Sequence, residues 1–419
     1  MVTREKMTLP ALFTIFLLTF HGCASFNPRP INAVPFKERS QTQVKNNIRV
    51  TAAVLSAEES QAVFGVPLYK KGIQPVWLEI ENRDEERVWF APVGTDPDYF
   101  APLEVAYVHR FSFNKKANQQ MERLFHEKAI RGRIDPGSVR SGFVFTNLDM
   151  GTKAFNVDLV GEDNQVRIFT FLIPVPGLKV DYREVDFDNL YTRGEIVSYD
   201  TADELRKALE ALPCCTTNAE DTRMGDPVNL VIIGNGRDIL QALRRSGWDE
   251  TAAISETEST FRFPWAFRYT PVKPLYLFGR HQDAAFRKAR ATINERNQLR
   301  LWLSPMLYQG KNVWVGQISR IIRRFAWEKF RIEPNVDEAR SYLLQDLWYS
   351  MGLLRFGFVK GMDLVTISKP RKSFHDDDYF TDGYRMVIWV SSDPTSFSKV
   401  EYLEWELPLL ERRKILIDQ

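Results

Sequence analysis

The stretch VNLVIIGNGRDILQALRRSGW, residues 228–248, indicates the fold class of the second half of the chain. Its first seven residues form a short, largely apolar run that ends at Gly234, as a strand buried on both faces does. The next fourteen have apolar residues at helical spacing, with Asn235 as a candidate N-cap and Gly247 as the stop. A buried strand that turns directly into a helix is typical of α/β domains.

Two further segments extend this α/β pattern. Val336–Met351 has apolar residues at helical spacing behind Asn335, and Asp337 and Glu338 would stabilise the first turn of that helix. In LYLFGRHQDAAFRKAR, residues 275–290, an apolar run breaks at Gly279, and a basic helical pattern follows. The remaining strands are expected at Leu275–Phe278, Leu299–Leu303, Val313–Ile318, Phe356–Val359 and Met386–Val390.

The first half of the chain alternates apolar and polar residues instead. Segments such as PVWLEIEN (75–82) and VRIFTFLI (166–173) are rich in β-branched and aromatic residues, and turn signals such as Pro136-Gly137 separate them. Short strands with turns between them predict an antiparallel, immunoglobulin-like β-sandwich, interrupted by one helix at Lys115–Ile130. The expected fold class is therefore α+β and multidomain, with this sandwich followed by an α/β domain that has a mixed sheet.

Turn-rich segments place the expected domain boundaries. PVPGLKVDY (174–182) is interpreted as the hinge out of the sandwich, and Thr201 with Glu204 forms a capping box for a helix at Ala202–Leu212. The expected organisation is a signal peptide at 1–23, a tether at 24–45, the β-sandwich at 46–175, a helical linker region at 176–224, the α/β domain at 225–395 and a tail at 396–419.

The charge balance argues against nucleic acid as the main partner. Lys and Arg number 56 against 54 for Asp and Glu, which gives a net charge of +2. Binding to a phosphate backbone needs a clear basic excess. The partners expected are a lipid bilayer and an unknown envelope protein or small ligand, and no cofactor is expected.

The first residues indicate a lipoprotein of the bacterial cell envelope. Arg4 and Lys6 precede the apolar run Leu9–Phe20, which is the layout of a secretory signal and is short for a membrane span. Cys23 follows it and resembles the acylated cysteine of a lipobox, although Phe20 and His21 depart from the usual residues. A cleaved signal peptide or an uncleaved anchor is the alternative. We expect acylation at Cys23 and location at the outer membrane, facing the periplasm.

Cys214 and Cys215 are adjacent in ALPCCTT, and they are the only other cysteines. An oxidising periplasm would join them in a vicinal ring or leave them as buried thiols. No further Cys or His lies near them in sequence to complete a metal site.

Two other motifs are weaker than they first look. Gly234 and Gly236 match the first two glycines of the dinucleotide fingerprint, but Ile239 occupies the third position, so a strand-to-helix turn explains them. SFHDDDYFTDG (373–383) is rich in metal-like residues, but its spacing fits no standard calcium loop. We therefore expect no metal site.

Six segments of the second half resemble the LssY C-terminal domain family. They are GDPVNLVIIG, LYLFGRHQDAAFRKARATINERNQLRLWL, VWVGQISR, VDEARSYLLQDL, GFVKG and YFTDG, and they cover roughly residues 225–390. The resemblance implies an envelope-associated α/β domain, sometimes joined to a membrane phosphatase and sometimes part of a lipoprotein. The phosphatase signature itself is missing from these segments.

The same resemblance identifies the candidate site residues. A G-R-x-Q-D element of the family is matched by Gly279, Arg280, Gln282 and Asp283. Two other family segments are altered here, because Ile321 follows Ser319-Arg320 where Asp is expected, and FRIEP (330–334) has Phe in place of His and Glu in place of Asp. Local structure explains Asp283, which would favour the N-terminus of the helix that carries Phe286.

Two hypotheses for function follow. The favoured one is a non-enzymatic envelope lipoprotein that binds a partner or ligand, with Arg280, Gln282 and Arg320 as candidate contacts. The alternative is a hydrolase acting on a phosphate- or lipid-bearing substrate, in which Arg280 binds the anion, His281 is the general acid or base, and Asp283 orients it. This alternative requires His281 and Asp283 to converge in an open cleft with Arg320, Glu333 or Asp337.

Overall fold

The computed structural model describes residues 26–162, 164–256, 264–289, 295–323, 327–374 and 376–406. The predicted signal peptide, including Cys23, lies outside the described residues, as do His375 and the end of the predicted tail. Within the described part, no helix is long and apolar enough to cross a membrane. The chain divides into two compact units, the first formed by residues 1–148 and 157–169 and the second by residues 149–156 and 170–419.

The first unit contains two antiparallel four-stranded sheets, together with helices. Their strand orders are β1-β2-β3-β6 and β5-β4-β7-β8, and the last two strands extend into residues assigned to the second unit. The strands are β1 Gln41–Lys45, β2 Ile48–Val54, β3 Ile73–Asn82, β4 Val88–Ala91, β5 Gly132–Ile134, β6 Ser138–Asn147, β7 Thr152–Gly161 and β8 Val166–Pro174. The helices are α1 Ala57–Phe64, α2 Pro102–Val108 and α3 Lys115–Lys128, with 3-10 turns at Ile31–Ala33, Pro35–Arg39, Leu68–Lys71 and Pro92–Gly94.

The core of the first unit lies between its helices and the sheet that contains β3 and β6. Phe64 of α1 stacks on Phe125 of α3 at 4.9 Å between ring centroids, and it meets Phe143 and Phe145 of β6 edge-on at 5.0 and 5.2 Å. All four rings are buried. The predicted helix at Lys115–Ile130 is present as α3, whereas the immunoglobulin-like arrangement of the strands stays a prediction.

The second unit is built around a mixed sheet of ten strands. Eight strands follow the order β13-β16-β17-β18-β12-β23-β20-β24, with β9 beside β17 and β19 beside β18. Smaller sheets have the orders β11-β10-β14-β15 and β21-β22. The strands are β9 Val197–Tyr199, β10 Cys215–Thr217, β11 Met224–Pro227, β12 Leu230–Ile233, β13 Asp249–Glu250, β14 Tyr276–Leu277, β15 Arg280–His281, β16 Ala284–Ala289, β17 Glu295–Tyr308, β18 Lys311–Ile322, β19 Arg331–Ile332, β20 Leu353–Lys360, β21 Arg371–Lys372, β22 Asp378–Tyr379, β23 Tyr384–Val390 and β24 Glu401–Leu403. The helices are α4 Ala202–Glu210, α5 Gly236–Arg245 and α6 Val336–Tyr349, with 3-10 turns at Asp181–Arg183, Pro264–Tyr269 and Phe397–Lys399.

Helices cover both faces of this sheet, which explains why β12 is apolar along its whole length. Leu230 and Ile232 point into the core that also contains side chains of α5 and α6. Val231 and Ile233 point into the opposite core, which contains Leu205 and Leu209 of α4. α4 therefore belongs to the folded second unit, although it comes from the segment expected to be a linker.

The predicted helix after Gly279 is wrong. Ala284–Ala289 is the strand β16, in which Phe286 pairs with Leu299 of β17. Phe286 is buried in the main core, and Arg287 on the opposite face is buried too and donates to the carbonyl of Phe267. Tertiary pairing with a long neighbouring strand therefore overrides the helical spacing, and Asp283 has no helix to stabilise.

The three other helices predicted between residues 202 and 351 are present, with differences at their ends. Asn335 caps α6 by accepting a hydrogen bond from the amide of Asp337, but Met351 lies beyond the helix and is 44% exposed. Asn235 occupies the N-cap position of α5 but makes no capping bond through its side chain. The predicted capping box between Thr201 and Glu204 opens α4.

Candidate functional site

Arg280 and Asp283 form a closed ion pair rather than an open anion site. The guanidinium donates from Nε and Nη2 to the two carboxylate oxygens of Asp283 at 2.8 and 2.9 Å. It also donates to the hydroxyl of Tyr191 at 2.9 Å and to the carbonyl of Leu303 at 2.7 Å. The pKa of Arg280 is lowered by burial, but its bonds to Asp283 outweigh this and raise it above its usual value. Four donors of the guanidinium are thus already used inside the unit.

The residues next to this pair also form hydrogen bonds within the unit. Gln282 is fully buried, and its amide accepts from the backbone N–H of Leu275 and donates to the carbonyl of Val272. Asp283 is 1% exposed and accepts from the amide of Leu303 at 2.7 Å. His281 is exposed, and its Nδ1 lies 2.8 Å from the carbonyl of Gln282. The G-R-x-Q-D element therefore joins β14, β15 and β17.

Arg320 and Glu333 form a second pair elsewhere on the sheet. Their side chains are 3.1 Å apart, and the amide of Glu333 donates to the carbonyl of Arg320. Arg320 lies opposite Asn297 of β17, six positions before Leu303, which contacts Asp283. Six residues of a strand span about 20 Å. These two candidates are thus well separated from Arg280 and Asp283.

Asp337 belongs to a third group, at the N-terminus of α6. Its carboxylate accepts from the hydroxyl of Thr381 at 2.8 Å and from the amide of Asp382 at 2.7 Å, and Arg340 lies 3.4 Å away. Arg340 in turn donates to Asp382 at 2.7 Å. Burial raises the pKa of Asp337, and the positive charge of Arg340 opposes that shift. This network fixes the loop before β23 to α6.

The aspartates of the 373–383 loop each have a different partner. Asp376 pairs with Arg223, Asp378 pairs with Lys372 at 2.8 Å, and Asp377 accepts from the amide of Ile332. Among the described residues, no group of three or more His, Cys, Asp or Glu side chains is placed to hold a metal ion.

Cys214 and Cys215 are joined by a disulfide between neighbouring residues. They line a cavity of about 480 Å³ together with Met224, Met362 and Tyr379. The fully buried Arg385 donates to the carbonyls of Leu209, Pro213 and Val228, which holds the chain on both sides of the disulfide. Burial lowers the pKa of Arg385 to about 10, so the guanidinium is still charged at neutral pH.

A different cavity of about 360 Å³ lies at one end of the main sheet, and sequence reasoning missed it. The residues along this end are in register, because Tyr308 pairs with Lys311, Ile233 with both Val313 and Trp389, and Arg355 with both Trp389 and Glu401. β12 and β23 are parallel, and both have their carboxyl ends here. Ligands of open α/β sheets bind outside the carboxyl ends of parallel strands. The cavity is lined by Tyr308, Gln309, Lys311, Leu354, Arg355, Trp389, Lys399 and Glu401.

This carboxyl-end cavity combines aromatic rings with positive charge. Trp389 and Tyr308 meet edge-to-face at 6.0 Å, and the guanidinium of Arg355 lies 5.7 Å from the centre of the Trp389 ring. Lys311, Arg355 and Lys399 carry three positive charges against one negative charge on Glu401, which pairs with Arg355 at 2.6 Å. The cations attract an anion, and the rings of Trp389 and Tyr308, 6% and 4% exposed, form an apolar floor beneath them. These residues come from four separate stretches of the chain, so no motif in the sequence connects them.

Comparison with known proteins relates most of the second half of the chain to a protein family. Residues 206–384 match the LssY C-terminus family. The match confirms the resemblance read from the six segments, and it begins within α4 and ends at the start of β23. The LssY C-terminal region therefore includes the Arg280–Asp283 pair, the disulfide and most of the main sheet. No curated protein and no solved structure shows a significant match to the chain.

Proposed function

We propose that the protein is an acylated lipoprotein of the bacterial cell envelope whose second unit binds an anionic ligand without catalysing a reaction. Cys23 carries the lipid in this proposal, and the protein faces the periplasm from the outer membrane. The first unit, taken to be the immunoglobulin-like sandwich expected from the sequence, follows the lipid anchor in the chain and precedes the LssY C-terminal region.

The state of the candidate catalytic residues supports a binding role. A hydrolase built on this element would need Arg280, His281 and Asp283 to present free donors and a free carboxylate to a substrate. Asp283 is buried with both oxygens bonded to Arg280, and Glu333 and Asp337 belong to other networks. This separation of the candidates is the observation that favours binding over hydrolysis.

The residues that line the carboxyl-end cavity support the proposal of an anionic ligand. Its two lysines and one arginine border the buried rings of Tyr308 and Trp389, and the only acidic group among its lining residues is already paired. A phosphate group next to a sugar ring or a lipid headgroup has the matching chemistry, because the cations bind the charge while Trp389 packs on the apolar part.

Calorimetric titration of the mature chain tests the binding role. Inorganic phosphate, glucose 6-phosphate and uncharged glucose serve as probes, and we expect the sugar phosphate to bind best and glucose not at all. Replacing Lys311→Gln and Lys399→Gln together should weaken binding about tenfold. Lys369→Gln, at an exposed lysine of the same unit, serves as the matched control.

Two outcomes would contradict this proposal. Equal affinity of the double variant and the control for glucose 6-phosphate would show that this cavity is not the binding site. Release of phosphate from glucose 6-phosphate that is lost in His281→Ala would show that the G-R-x-Q-D element catalyses hydrolysis after all.

A further inference from the structure

The tip between α2 and α3 of the first unit exposes apolar side chains to an unusual extent. Leu103 and Tyr107 are four residues apart on α2, so they share one face of that helix, and they are 51% and 64% exposed. Val108 is 44% exposed at the end of the same helix, and Phe113 in the following loop is fully exposed. Exposed aromatic and aliphatic groups this close in the chain mark an interaction surface.

Phe113 has a strained backbone conformation in this loop. Its φ is +61°, in the left-handed region that bulky side chains avoid. The loop is nevertheless held in place, because Asn118 bonds both the amide and the carbonyl of Phe111 at 2.8 and 2.9 Å. Phe111 itself packs on the core, whereas Phe113 does not. Within the described part of the first unit, Phe113 gains no burial that would offset this strain, which points to a partner outside the chain.

The charged residues at this tip are also unfavourable for the stability of α3. α3 begins with Lys115 and Lys116, both exposed, and its first turn has no acidic residue. A helix N-terminus is the positive end of the helix dipole and favours acidic side chains there. Lys71 lies close enough to contribute to lowering the pKa of His109, after the larger effect of burial. Arg110 also lies near, 4.9 Å from the centre of the Tyr107 ring, whereas Glu104 and Glu122 add two negative charges. An excess of positive charge therefore lies beside the exposed rings.

We propose that this tip, formed by Leu103, Tyr107, Val108, Phe113, Lys115 and Lys116, inserts into the surface of an anionic phospholipid bilayer. Phe113 and Tyr107 bury their rings at the interface, where aromatic side chains are favoured, and the two lysines pair with lipid phosphates. The tip would fix the orientation of the first unit at the membrane, which a single acylated cysteine alone does not do. Anionic lipid is favoured over an apolar protein surface as the occupant because the rings are bordered by lysines without acidic neighbours in the first turn of α3.

Vesicle flotation with the mature chain carrying Cys23→Ser, so that no acyl group contributes, tests this inference. We expect binding to vesicles of phosphatidylglycerol and phosphatidylethanolamine, weaker binding to pure phosphatidylcholine, and a decline with added salt. Phe113→Asn should reduce binding about tenfold, because one buried aromatic side chain is lost from the interface. Lys115→Gln with Lys116→Gln should remove the preference for anionic lipid.

The choice of asparagine keeps the test independent of folding. Asn adopts left-handed backbone more readily than Phe, so Phe113→Asn should unfold at the same temperature as the parent or a higher one. Val139→Ser, at an exposed apolar residue of β6 six positions from Phe145, is the matched control and should bind vesicles like the parent. Unchanged vesicle binding by Phe113→Asn would overturn the inference, and so would capture of a protein partner by the tip with no binding to vesicles.

Discussion

Arg280 of β15 and Asp283, three positions further along the chain, are joined by two parallel hydrogen bonds of 2.8 and 2.9 Å. Asp283 also accepts from the amide of Leu303, and Arg280 donates to the carbonyl of the same residue. The pair thus binds both backbone groups of Leu303, whose carbonyl also accepts from the hydroxyl of Tyr191 at 2.7 Å. A structural role of this kind accounts for Arg, Gln and Asp in the family element without any chemistry.

Breaking this pair should destabilise the second unit. Asp283→Asn leaves the largely buried guanidinium of Arg280 without its counter-charge, and removing one partner of such a pair costs about 3 kcal/mol. His281→Ala, one turn residue away and exposed, should change the free energy of unfolding by less than about 0.5 kcal/mol. Urea unfolding followed by circular dichroism measures both, and equal effects of the two changes would refute the structural role.

Asp149 should make the second unit sensitive to acid. Burial alone would raise the pKa of Asp149, but Lys153 and Arg244 lower it to about 2. The folded-state pKa is therefore below the ordinary value of 3.8, so the contribution of Asp149 is complete above about pH 4 and is lost as the pH falls toward 2. Because a quarter of its side chain is still exposed, we expect it to contribute about 1–2 kcal/mol.

Unfolding measured at pH 7 and pH 3 checks this expectation. The loss of stability between the two pH values should be smaller in Asp149→Asn than in the parent. Asp363→Asn, at a carboxylate that is 88% exposed, is the control and should show the parent's pH dependence. A steeper acid loss in Asp149→Asn would contradict the sign of the effect.

Gly383 should be intolerant of any side chain, unlike Gly279. Both have left-handed backbone, with φ of +85° and +74°. A Cβ at Gly383 would lie 2.6 Å from the carbonyl oxygen of Met362, whereas one at Gly279 would meet nothing within 4 Å. Gly279→Ala should therefore cost about 1 kcal/mol from backbone strain alone. Gly383→Ala should cost well over about 2 kcal/mol, as thermal unfolding of the two variants would show.

Cys214 and Cys215 should be protected from alkylation until a dithiol is added. In a chain that carries Cys23→Ser and is exported to the periplasm, denaturation without reductant should leave both sulfurs unlabelled by a maleimide. Cys214→Ser frees Cys215 and should be labelled under the same conditions. Immediate labelling of the parent would show that the pair is reduced in the envelope.

Acylation at Cys23 should hold the protein in the membrane fraction. Cys23→Ala should shift it to the soluble periplasmic fraction, and globomycin should cause the unprocessed precursor to accumulate. Because one or two acyl chains supply most of the membrane affinity of such proteins, the shift should exceed any produced by Phe113→Asn in the acylated chain. If Cys23→Ala stayed in the membrane fraction, Cys23 would not be the residue that anchors the protein.

The local features were predictable because they depend on residues close together in the chain. The capping box of Thr201 and Glu204, the cap at Asn335 and the buried strand at 228–234 each follow from a few neighbouring side chains. The prediction of a helix after Gly279 was wrong because the structure there depends on residues distant in the chain. Charged residues at helical spacing cannot show that Ala284–Ala289 pairs with β17 on one side and with β13 on the other.

The sequence by itself determined the family of the second half, the α+β composition and the apolar strands that are buried on both sides. It also singled out Arg280, Gln282 and Asp283 as a group. Only the tertiary structure decided what these residues do, because the partners Tyr191 and Leu303 come from other parts of the chain. The carboxyl-end cavity was beyond sequence reasoning for the same physical reason: Lys311, Arg355 and Trp389 become neighbours only when hydrogen bonds between strands set their register.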